Sequence, residues 1–299
     1  MDLSIIIVSW NTRDLLAQCL QSVYDTVHGL EFQVFVVDNA SSDGSAAMVR
    51  ERFPQVRLIE NTKNVGFARA NNQAIREAGG QYILLLNSDA RVMGDSVLQM
   101  ARFMDGRAEV GIVGPPLVFP DGRPQLAWGP LPSLASEVWS LFGLDRLRSS
   151  GAWRSDSSQR FLETGWVSGA CMMVRRRVIE QVGLLDEEYF MFSEEIDLCY
   201  RARKAGWKII HLPTALAIHV GGGSTGLTAK RILMLYRGKL QYFAKHHGDR
   251  ARKLLLGAMW AATGLKIIVY TLLRVLSLGR VRRNELCWEV AKGMEAIRV

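Results

Sequence analysis

Acidic and polar side chains follow two apolar segments of the chain, where they can bind a ligand. Asp38 comes directly after residues 34–37, and a carboxylate at a strand end can accept hydrogen bonds from a nucleotide base or ribose. An Asn-Ser-Asp triplet at residues 87–89 follows residues 82–86, and oxygen-bearing side chains suit a hard divalent cation. Either segment alone is also typical of a turn or a helix N-cap.

A third candidate is a group of three carboxylates within four positions: Glu194, Glu195 and Asp197. Acidic residues favour the first turn of a helix because of the macrodipole, and Ser193 can cap that helix, so the group also has a purely structural explanation. Neighbouring carboxylates repel one another, however. That repulsion can raise the pKa of one of them, which suits a general base.

The fourth candidate is His219, which is followed by three glycines at residues 221–223. The imidazole can turn toward a metal ion while the glycine backbone approaches a phosphate. An ordinary loop with a hydrogen-bonded imidazole explains the same residues. The four cysteines are far apart without a C-x-x-C pair, so we expect free thiols and neither a zinc knuckle nor a disulfide framework.

Apolar runs that alternate with helical patterns must position these residues. We predict strands at residues 4–9, 34–37, 56–59 and 82–86, with helices such as 45–52 and 66–78 between them, then a strand at 166–174, a helix at 194–204 and strands at 208–210 and 215–220. This alternation predicts an α/β fold with a mostly parallel sheet covered on both faces. Ligands bind such sheets at the carboxyl ends of the strands, where Asp38 and Asp89 lie.

The segment after the first strand argues against a dinucleotide-binding enzyme. A G-x-G-x-x-G fingerprint would follow that strand, but residues 9–13 read Ser-Trp-Asn-Thr-Arg. Residues 115–165 give a weaker signal, because six prolines interrupt the first part and residues 149–158 are polar. We expect this stretch to be an insertion that supplies part of a lid over the acceptor.

Composition excludes a disordered chain and separates the C-terminal part from the rest. The 299 residues are 48% hydrophobic and 22% charged, and the net charge is +8. Residues 230–299 carry 15 Lys and Arg against 4 Asp and Glu, so the whole basic excess lies there. This asymmetry predicts an anionic partner for the C-terminal region.

Residues 254–278 are the most apolar stretch, with Lys266 and Arg274 as the only charges. The stretch is long enough to span a bilayer, but its polar residues recur on one helical face and basic clusters flank both ends. We expect a helix that lies in the membrane interface with its basic edge on anionic lipid. A helix buried on the preceding domain is the alternative. The long apolar runs favour lipid over nucleic acid, and we expect no nucleic-acid partner.

Taken in order, six motifs resemble family 2 glycosyltransferases with the GT-A fold, and their bacterial rhamnosyltransferase-like branch in particular. The motifs are Asp38, residues 64–72 (Asn-Val-Gly-Phe-Ala-Arg-Ala-Asn-Asn), 84–89, 168–172, 194–201 and His219. The resemblance covers about residues 1–225. It implies a Rossmann-like GT-A domain at residues 1–227, with a nucleotide-sugar half at about 1–114 and an acceptor half at about 115–227. Residues 228–299 form a basic, amphipathic helical region outside the motifs.

The resemblance also implies roles for the donor side of the site. Asp38 matches the aspartate that reads the nucleotide base, and Arg69 matches a basic residue near the donor. Asn87, Ser88 and Asp89 match the D-x-D motif that contacts the nucleotide sugar. Asp89 is the metal-binding position. Asn87 departs from the family's first aspartate, which leaves metal binding mainly to Asp89.

His219 matches the histidine that completes the metal site, and Glu195 matches the catalytic aspartate of the family. Glutamate is one methylene longer than aspartate, so Glu194 stays an alternative base. The resemblance implies inverting transfer with Mn or Mg from a nucleotide sugar, dTDP-rhamnose first and a UDP-sugar next. The implied acceptor is a lipid-linked saccharide or surface glycan, and we expect a peripheral protein on the cytoplasmic face of the cell membrane. An inactive GT-A scaffold and another nucleotide-dependent transferase remain the alternatives.

Overall fold

A computed structural model describes residues 1–144, 161–221, 228–276 and 283–297 of the chain. Packing divides the chain into two compact units. The first unit consists of Met1–Leu131, Ser155–Phe190 and Glu194–Ser224. The second unit consists of Pro132–Arg154, Met191–Ser193 and Thr225–Val299. The predicted GT-A domain at residues 1–227 and helical region at residues 228–299 stay predictions.

The strands of the described residues all belong to the first unit. They are β1 (Leu3–Ser9), β2 (Phe32–Asp38), β3 (Arg57–Glu60), β4 (Tyr82–Asn87), β5 (Ala90–Val92), β6 (Val110–Gly114), β7 (Leu117–Val118), β8 (Trp128–Gly129), β9 (Leu162–Glu163), β10 (Trp166–Val167), β11 (Cys171–Arg175), β12 (Lys208–His211) and β13 (Ala217–His219).

The helices of the first unit alternate with these strands in the N-terminal half. They are α1 (Arg13–Thr26), α2 (Ser45–Arg52), α3 (Phe67–Glu77), α4 (Ser96–Asp105), α6 (Arg176–Val182) and α7 (Glu194–Lys204). The second unit contains α5 (Leu134–Leu141), α8 (Ala229–Leu276), α9 (Arg283–Met294) and a 3₁₀ turn at Glu295–Ile297.

The main sheet has the strand order β3-β2-β1-β4-β11-β6-β12-β9. The strands β1 to β4 are mutually parallel, whereas β11 runs antiparallel to both β4 and β6. Two apolar cores cover its faces: Ile5 and Ile7 of β1 belong to one core and Ile6 to the other, as the alternation of side chains along a strand requires. This mostly parallel sheet with flanking helices confirms the predicted fold class.

The strand predicted at residues 166–174 is wrong in one respect, because the structure divides it into β10 and β11. Residues 168–170 do not pair in the main sheet and form hydrogen bonds to other segments instead. The Ser168 amide donates to the Ala127 carbonyl over 2.7 Å, and the Asn87 amide donates to the Ala170 carbonyl over 3.0 Å. The apolar pattern alone does not show this break, because both halves face buried surroundings.

The proline-interrupted stretch contains regular structure in its described part. β7 pairs with β13, β8 pairs with β10, and a capping box of Ser133 and Ser136 begins α5. Residues 145–160 of the predicted lid, the glycines at 222–223, and residues 277–282 lie outside the described residues. The lid itself stays a prediction.

Within the second unit, α8 is interrupted at Gly248, whose non-helical φ of 84° and ψ of 167° separate two helical segments. α8 is long and apolar enough to cross a membrane by length and composition, and 22% of its most apolar window is buried. Its packed side carries Leu255, Met259 and Ala262, together with Thr263, whose hydroxyl contacts Met294 of α9. Thr263 is one of the polar residues that the sequence placed on one helical face with Lys266 and Arg274, and it lies on the packed side.

Candidate active site

The candidate site lies at the carboxyl ends of β2 and β4, the two strands that flank β1. In the parallel register, Ser9 of β1 pairs with Asp38 of β2, and Val8 pairs with Asn87 of β4. Because parallel strands present their carboxyl ends at one edge, Asp38 and the 87–89 triplet share that edge. The sequence prediction that these groups follow adjacent buried strands agrees with this placement.

The Asp38 carboxylate is buried and only partly satisfied by the protein. Its Oδ2 accepts a hydrogen bond from the Ser41 amide over 3.0 Å, and the residue is 4% exposed. Its Oδ1 has no hydrogen-bond partner among the described residues. A buried acceptor left unmatched is costly, so this atom suits a ligand donor such as a nucleobase N–H.

Asp89 and His219 meet through the smaller sheet of the first unit. β5 and β13 run antiparallel, with Ala90 opposite His219, and the Val220 amide donates to the Asp89 carbonyl over 3.0 Å. The His219 Nε2 atom lies 3.2 Å from Asp89 Oδ1, and the two side chains are 15% and 10% exposed. The structure therefore brings together the two residues for which a shared metal role was expected.

Gln125 fixes the orientation of the His219 ring. The Gln125 amide nitrogen donates to the His219 backbone carbonyl, which can only accept, so the amide oxygen must face the ring. That oxygen lies 2.8 Å from His219 Nδ1, which consequently carries the proton. The lone pair of a neutral imidazole is then on Nε2 and faces Asp89. No sequence signal pointed to Gln125, which lies 94 residues from His219 in the chain.

Asp89 and His219 together provide ligand atoms that suit a divalent cation. Two acceptor atoms 3.2 Å apart repel each other unless a proton or a cation lies between them. Both are ordinary ligands of Mn²⁺, and Gln125 supplies the outer hydrogen bond that metal-ligating histidines have. Among the described residues, no group of three or more His, Cys, Asp or Glu side chains converges, so substrate oxygens would have to complete the coordination.

The remaining members of the triplet are tied to their neighbours. The side-chain nitrogen of Asn87 lies 3.3 Å from His219 Nε2, so this amide joins the same cluster. Ser88 is buried and accepts a hydrogen bond from the Thr12 hydroxyl over 2.8 Å, and Thr12 in turn lies 3.0 Å from the Ser9 hydroxyl. This chain of hydroxyl groups connects β1 to the turn after β4.

The three carboxylates at the start of α7 have different surroundings. Asp197 is fully buried and pairs with Arg201 over 2.7 Å, one helical turn away, which gives it a structural role. Glu194 is 5% exposed, and burial, followed by the neighbouring charges of Glu195 and Asp197, raises the pKa of Glu194 well above its usual range. Because Glu194 is buried, its carboxyl is less accessible to an acceptor hydroxyl than that of Glu195.

Glu195 is the more accessible of the two glutamates and lies against the break between β10 and β11. A side-chain carbon on Gly169 would lie 3.4 Å from Glu195 Cβ and 3.9 Å from the Phe67 ring of α3. Gly169 and Glu195 are therefore neighbours, and an added side-chain carbon would touch Glu195 at van der Waals distance. The same break is bonded to Asn87 at the end of β4, which connects Glu195 to the edge that carries the other site residues.

Arg69 pairs with Glu187, whereas the sequence resemblance implied a contact with the nucleotide-sugar donor. Its Nε atom donates to Glu187 over 3.0 Å, and Arg76 pairs with the other oxygen of the same carboxylate. The two guanidinium groups and Asn72 lower the pKa of Glu187. In the described part of the chain, Arg69 makes no hydrogen bond to Asp38, so its contact with a donor stays a prediction.

A mostly parallel sheet carries a buried aspartate after β2, an acidic turn after β4 and carboxylates at the start of α7, and these features fit a nucleotide-sugar-dependent glycosyltransferase of the GT-A fold. Comparison with known proteins supports this class. The sequence pattern described as "Glycosyl transferase family 2" matches residues 4–183, which is more than half of the chain. The chain belongs to this family.

Its relatives include an N-acetylglucosaminyl-diphospho-decaprenol L-rhamnosyltransferase of Mycobacterium tuberculosis, 28% identical over 278 residues, or 85% of this chain and 87% of the relative. Among solved structures, the fold resembles a mannosyltransferase of Pyrobaculum calidifontis in complex with GDP-Man and Mn²⁺ (TM-score 0.59, 17% identity, 98% of this chain and 85% of that one). It also resembles GalNAc-T7 with UDP, GalNAc and Mn²⁺ (TM-score 0.57, 16% identity, 82% and 50%).

Proposed function

We propose that this protein is an inverting, metal-dependent rhamnosyltransferase that uses dTDP-rhamnose as donor and a hydroxyl of a lipid-linked saccharide or surface glycan as acceptor. The name of the mycobacterial relative, which describes L-rhamnosyl transfer to a diphospho-decaprenol-linked sugar, supports both choices. The proposal places the protein at the cytoplasmic face of the cell membrane, and a UDP-sugar is the second donor candidate.

The observation that carries the proposal is that a buried acceptor and a carboxylate–imidazole pair lie at one edge of the sheet. Asp38 Oδ1 is buried without a partner among the described residues, which suits the N–H of a pyrimidine base. Asp89 and His219 face each other as two acceptors and suit a cation. A nucleoside diphosphate provides a base for the first group and phosphate oxygens for the second.

Glu195 is the proposed general base. Its carboxylate takes the proton from an acceptor hydroxyl while the hydroxyl oxygen forms a bond to the anomeric carbon of the donor sugar. The bond from that carbon to the diphosphate oxygen breaks on the opposite side, which inverts the configuration. A divalent cation held by Asp89 and His219 would stabilise the charge of the leaving diphosphate.

Glu194 contributes to this proposal without contacting substrate. Burial raises the pKa of Glu194, and the neighbouring charge of Glu195 adds to that rise, so the two carboxyls at the start of α7 affect each other's protonation. The two neighbouring glutamates thus provide a matched pair for a test: the same Glu→Gln change at adjacent positions removes the base in one variant and a buried carboxyl in the other.

The test is a donor panel on the purified full chain. Binding of dTDP-rhamnose, UDP-glucose, UDP-N-acetylglucosamine and GDP-mannose is measured by calorimetry with and without Mn²⁺. Turnover of the bound donor is followed by mass spectrometry with a polyprenyl-diphosphate-linked N-acetylglucosamine acceptor. Wild type, Glu195→Gln and Glu194→Gln are compared under the same conditions.

We expect Mn²⁺-dependent binding of dTDP-rhamnose and its transfer to the acceptor. Glu195→Gln should keep donor binding and lose about 100-fold or more in kcat, as removal of a general base does. Glu194→Gln should stay far closer to wild type. Binding of a UDP-sugar alone would replace the donor assignment, whereas no binding of any nucleotide sugar would refute the proposed function and leave an inactive GT-A scaffold.

A further inference from the structure

The second unit exposes a continuous apolar stripe along the C-terminal part of α8. Leu265, Ile268, Leu272 and Val275 recur at steps of three and four residues, which places them on one side of the helix. They are 49%, 59%, 58% and 70% exposed, respectively. We define these four residues as the apolar stripe. Four large apolar side chains exposed together in one row are unusual for a soluble surface and indicate an interaction site.

We propose that this stripe inserts into the headgroup region of an anionic lipid bilayer, with α8 lying in the plane of the membrane. The sequence alone assigned the contact to a basic edge. The structure assigns it to the apolar side of the helix instead, with the cations at its margins.

The charges around the stripe favour an anionic surface. Arg250, Lys253 and Lys266 of α8 are exposed, and the chain has no acidic residue from 250 to 276. Long cationic side chains near an inserted apolar stripe can reach lipid phosphates. A second copy of the chain is a poorer occupant, because a two-fold interface would bring the same cations together, and Asp249, which pairs with Lys253 over 2.7 Å, is the one acidic residue of this helix.

The opposite side of α8 explains why the helix lies on the membrane and does not cross it. Leu255, Met259 and Ala262 are buried within the protein, and Arg274 pairs with Glu285 of α9 over 3.1 Å. A helix that spans a bilayer would carry α9, with its charged side chains, into the hydrocarbon core. An interfacial position leaves the packed side and α9 toward water while the stripe meets lipid.

The test uses vesicle flotation with the purified full chain. Vesicles consist of phosphatidylcholine alone or of phosphatidylcholine with phosphatidylglycerol. The stripe variant combines Ile268→Gln and Leu272→Gln, which keep the net charge and suit a helix. The matched control combines Met93→Gln and Leu216→Gln, two exposed apolar residues of the first unit.

We expect wild type to float with the anionic vesicles, and added salt should weaken this binding because part of it is electrostatic. The stripe variant should lose about 10-fold or more in apparent lipid affinity, since two large apolar side chains no longer enter the membrane. The control should bind like wild type. If the double variant fails to fold by circular dichroism, Leu272→Gln alone should give a smaller loss in the same direction.

Equal flotation of wild type and the stripe variant would overturn the proposal. Absence of wild-type binding to anionic vesicles would also overturn it, and light scattering would then show whether the stripe joins two copies of the chain. The vesicles contain no sugar donor or acceptor. This test can therefore fail while the proposed glycosyl transfer stands, and the donor panel can fail while membrane binding stands.

Discussion

Gln125 offers a direct test of the proposed metal site, because it touches His219 without belonging to the ligand pair. It makes two hydrogen bonds to His219, one to the ring and one to the backbone carbonyl. Gln125→Leu keeps a similar shape and removes both bonds. The imidazole is then free to carry its proton on Nε2, which would direct an N–H toward Asp89 where a cation should bind.

The expected magnitude follows from these two bonds. Each contributes about 0.5–1.5 kcal/mol, so the loss of both amounts to about 1–3 kcal/mol. Loss of an outer hydrogen bond to a metal-binding histidine typically lowers metal affinity about 10–100-fold, which corresponds to roughly 1.4–2.8 kcal/mol. The first figure is a loss of folding stability and the second is a loss of metal affinity, so Gln125→Leu should lower both. Gln125→Glu retains an acceptor for Nδ1 and should lose less affinity than the leucine variant.

The assay is a Mn²⁺ titration in the presence of dTDP, read by the electron paramagnetic resonance signal of free Mn²⁺. The tautomer of His219 is followed separately by ¹⁵N NMR of the imidazole. Gln181→Leu is the control, because Gln181 bonds Trp207 at an exposed position of the same unit. Equal Mn²⁺ affinity of wild type and Gln125→Leu, or a wild-type ring protonated on Nε2, would refute the assigned role of Gln125.

Three further predictions concern other positions. Glu194 has a raised pKa in the folded chain, so between pH 4.5 and that raised pKa the folded chain holds a proton that the unfolded chain releases. The free energy of unfolding therefore falls as pH rises through this range. Glu194→Gln should be more stable than wild type in urea at pH 8, and the difference should vanish below pH 4.5. Gly66→Ala should destabilise the first unit by about 1–3 kcal/mol, because φ is +89° and the added carbon would lie 2.6 Å from the Phe190 carbonyl oxygen; unchanged urea unfolding would contradict this. Asp38→Asn should weaken nucleotide binding by calorimetry about 10-fold, while the Mn²⁺ titration at saturating dTDP should stay unchanged; a loss of Mn²⁺ affinity at saturating dTDP would show that Asp38 acts on the whole site.

The elements that the sequence predicts best are those with local signals at both ends. Residues 45–52 and 194–204 are helices with the predicted bounds, because a turn cluster precedes the first and acidic residues begin the second. The break at residues 168–170 was not predictable in this way. Its cause is bonding to Ala127 and Asn87, which are distant in the chain, and a buried apolar run hides such a break.

The candidate site shows the same division between local and distant causes. Strand ends locate Asp38 and Asp89 from sequence, since a buried run that stops at a polar cluster is a local pattern. The role of Gln125 depends on the pairing of β7 with β13, the strand that carries His219. The backbone N–H of Gln125 donates to the Leu117 carbonyl of β7 over 2.8 Å, which holds Gln125 beside that strand. No spacing along the chain encodes that meeting.

The neutral side chain of Asn87 lowers the negative charge of the candidate metal site. In place of a carboxylate, it puts a neutral amide 3.3 Å from His219 Nε2, so the site has one negative charge fewer than a D-x-D motif would give. Asp89 and His219 leave most of a cation's coordination to oxygens from outside the chain, and Mg²⁺ and Mn²⁺ accept substrate phosphates and water in those positions. Metal and donor should therefore bind together, each weakly alone, since the diphosphate provides the charge that Asn87 does not.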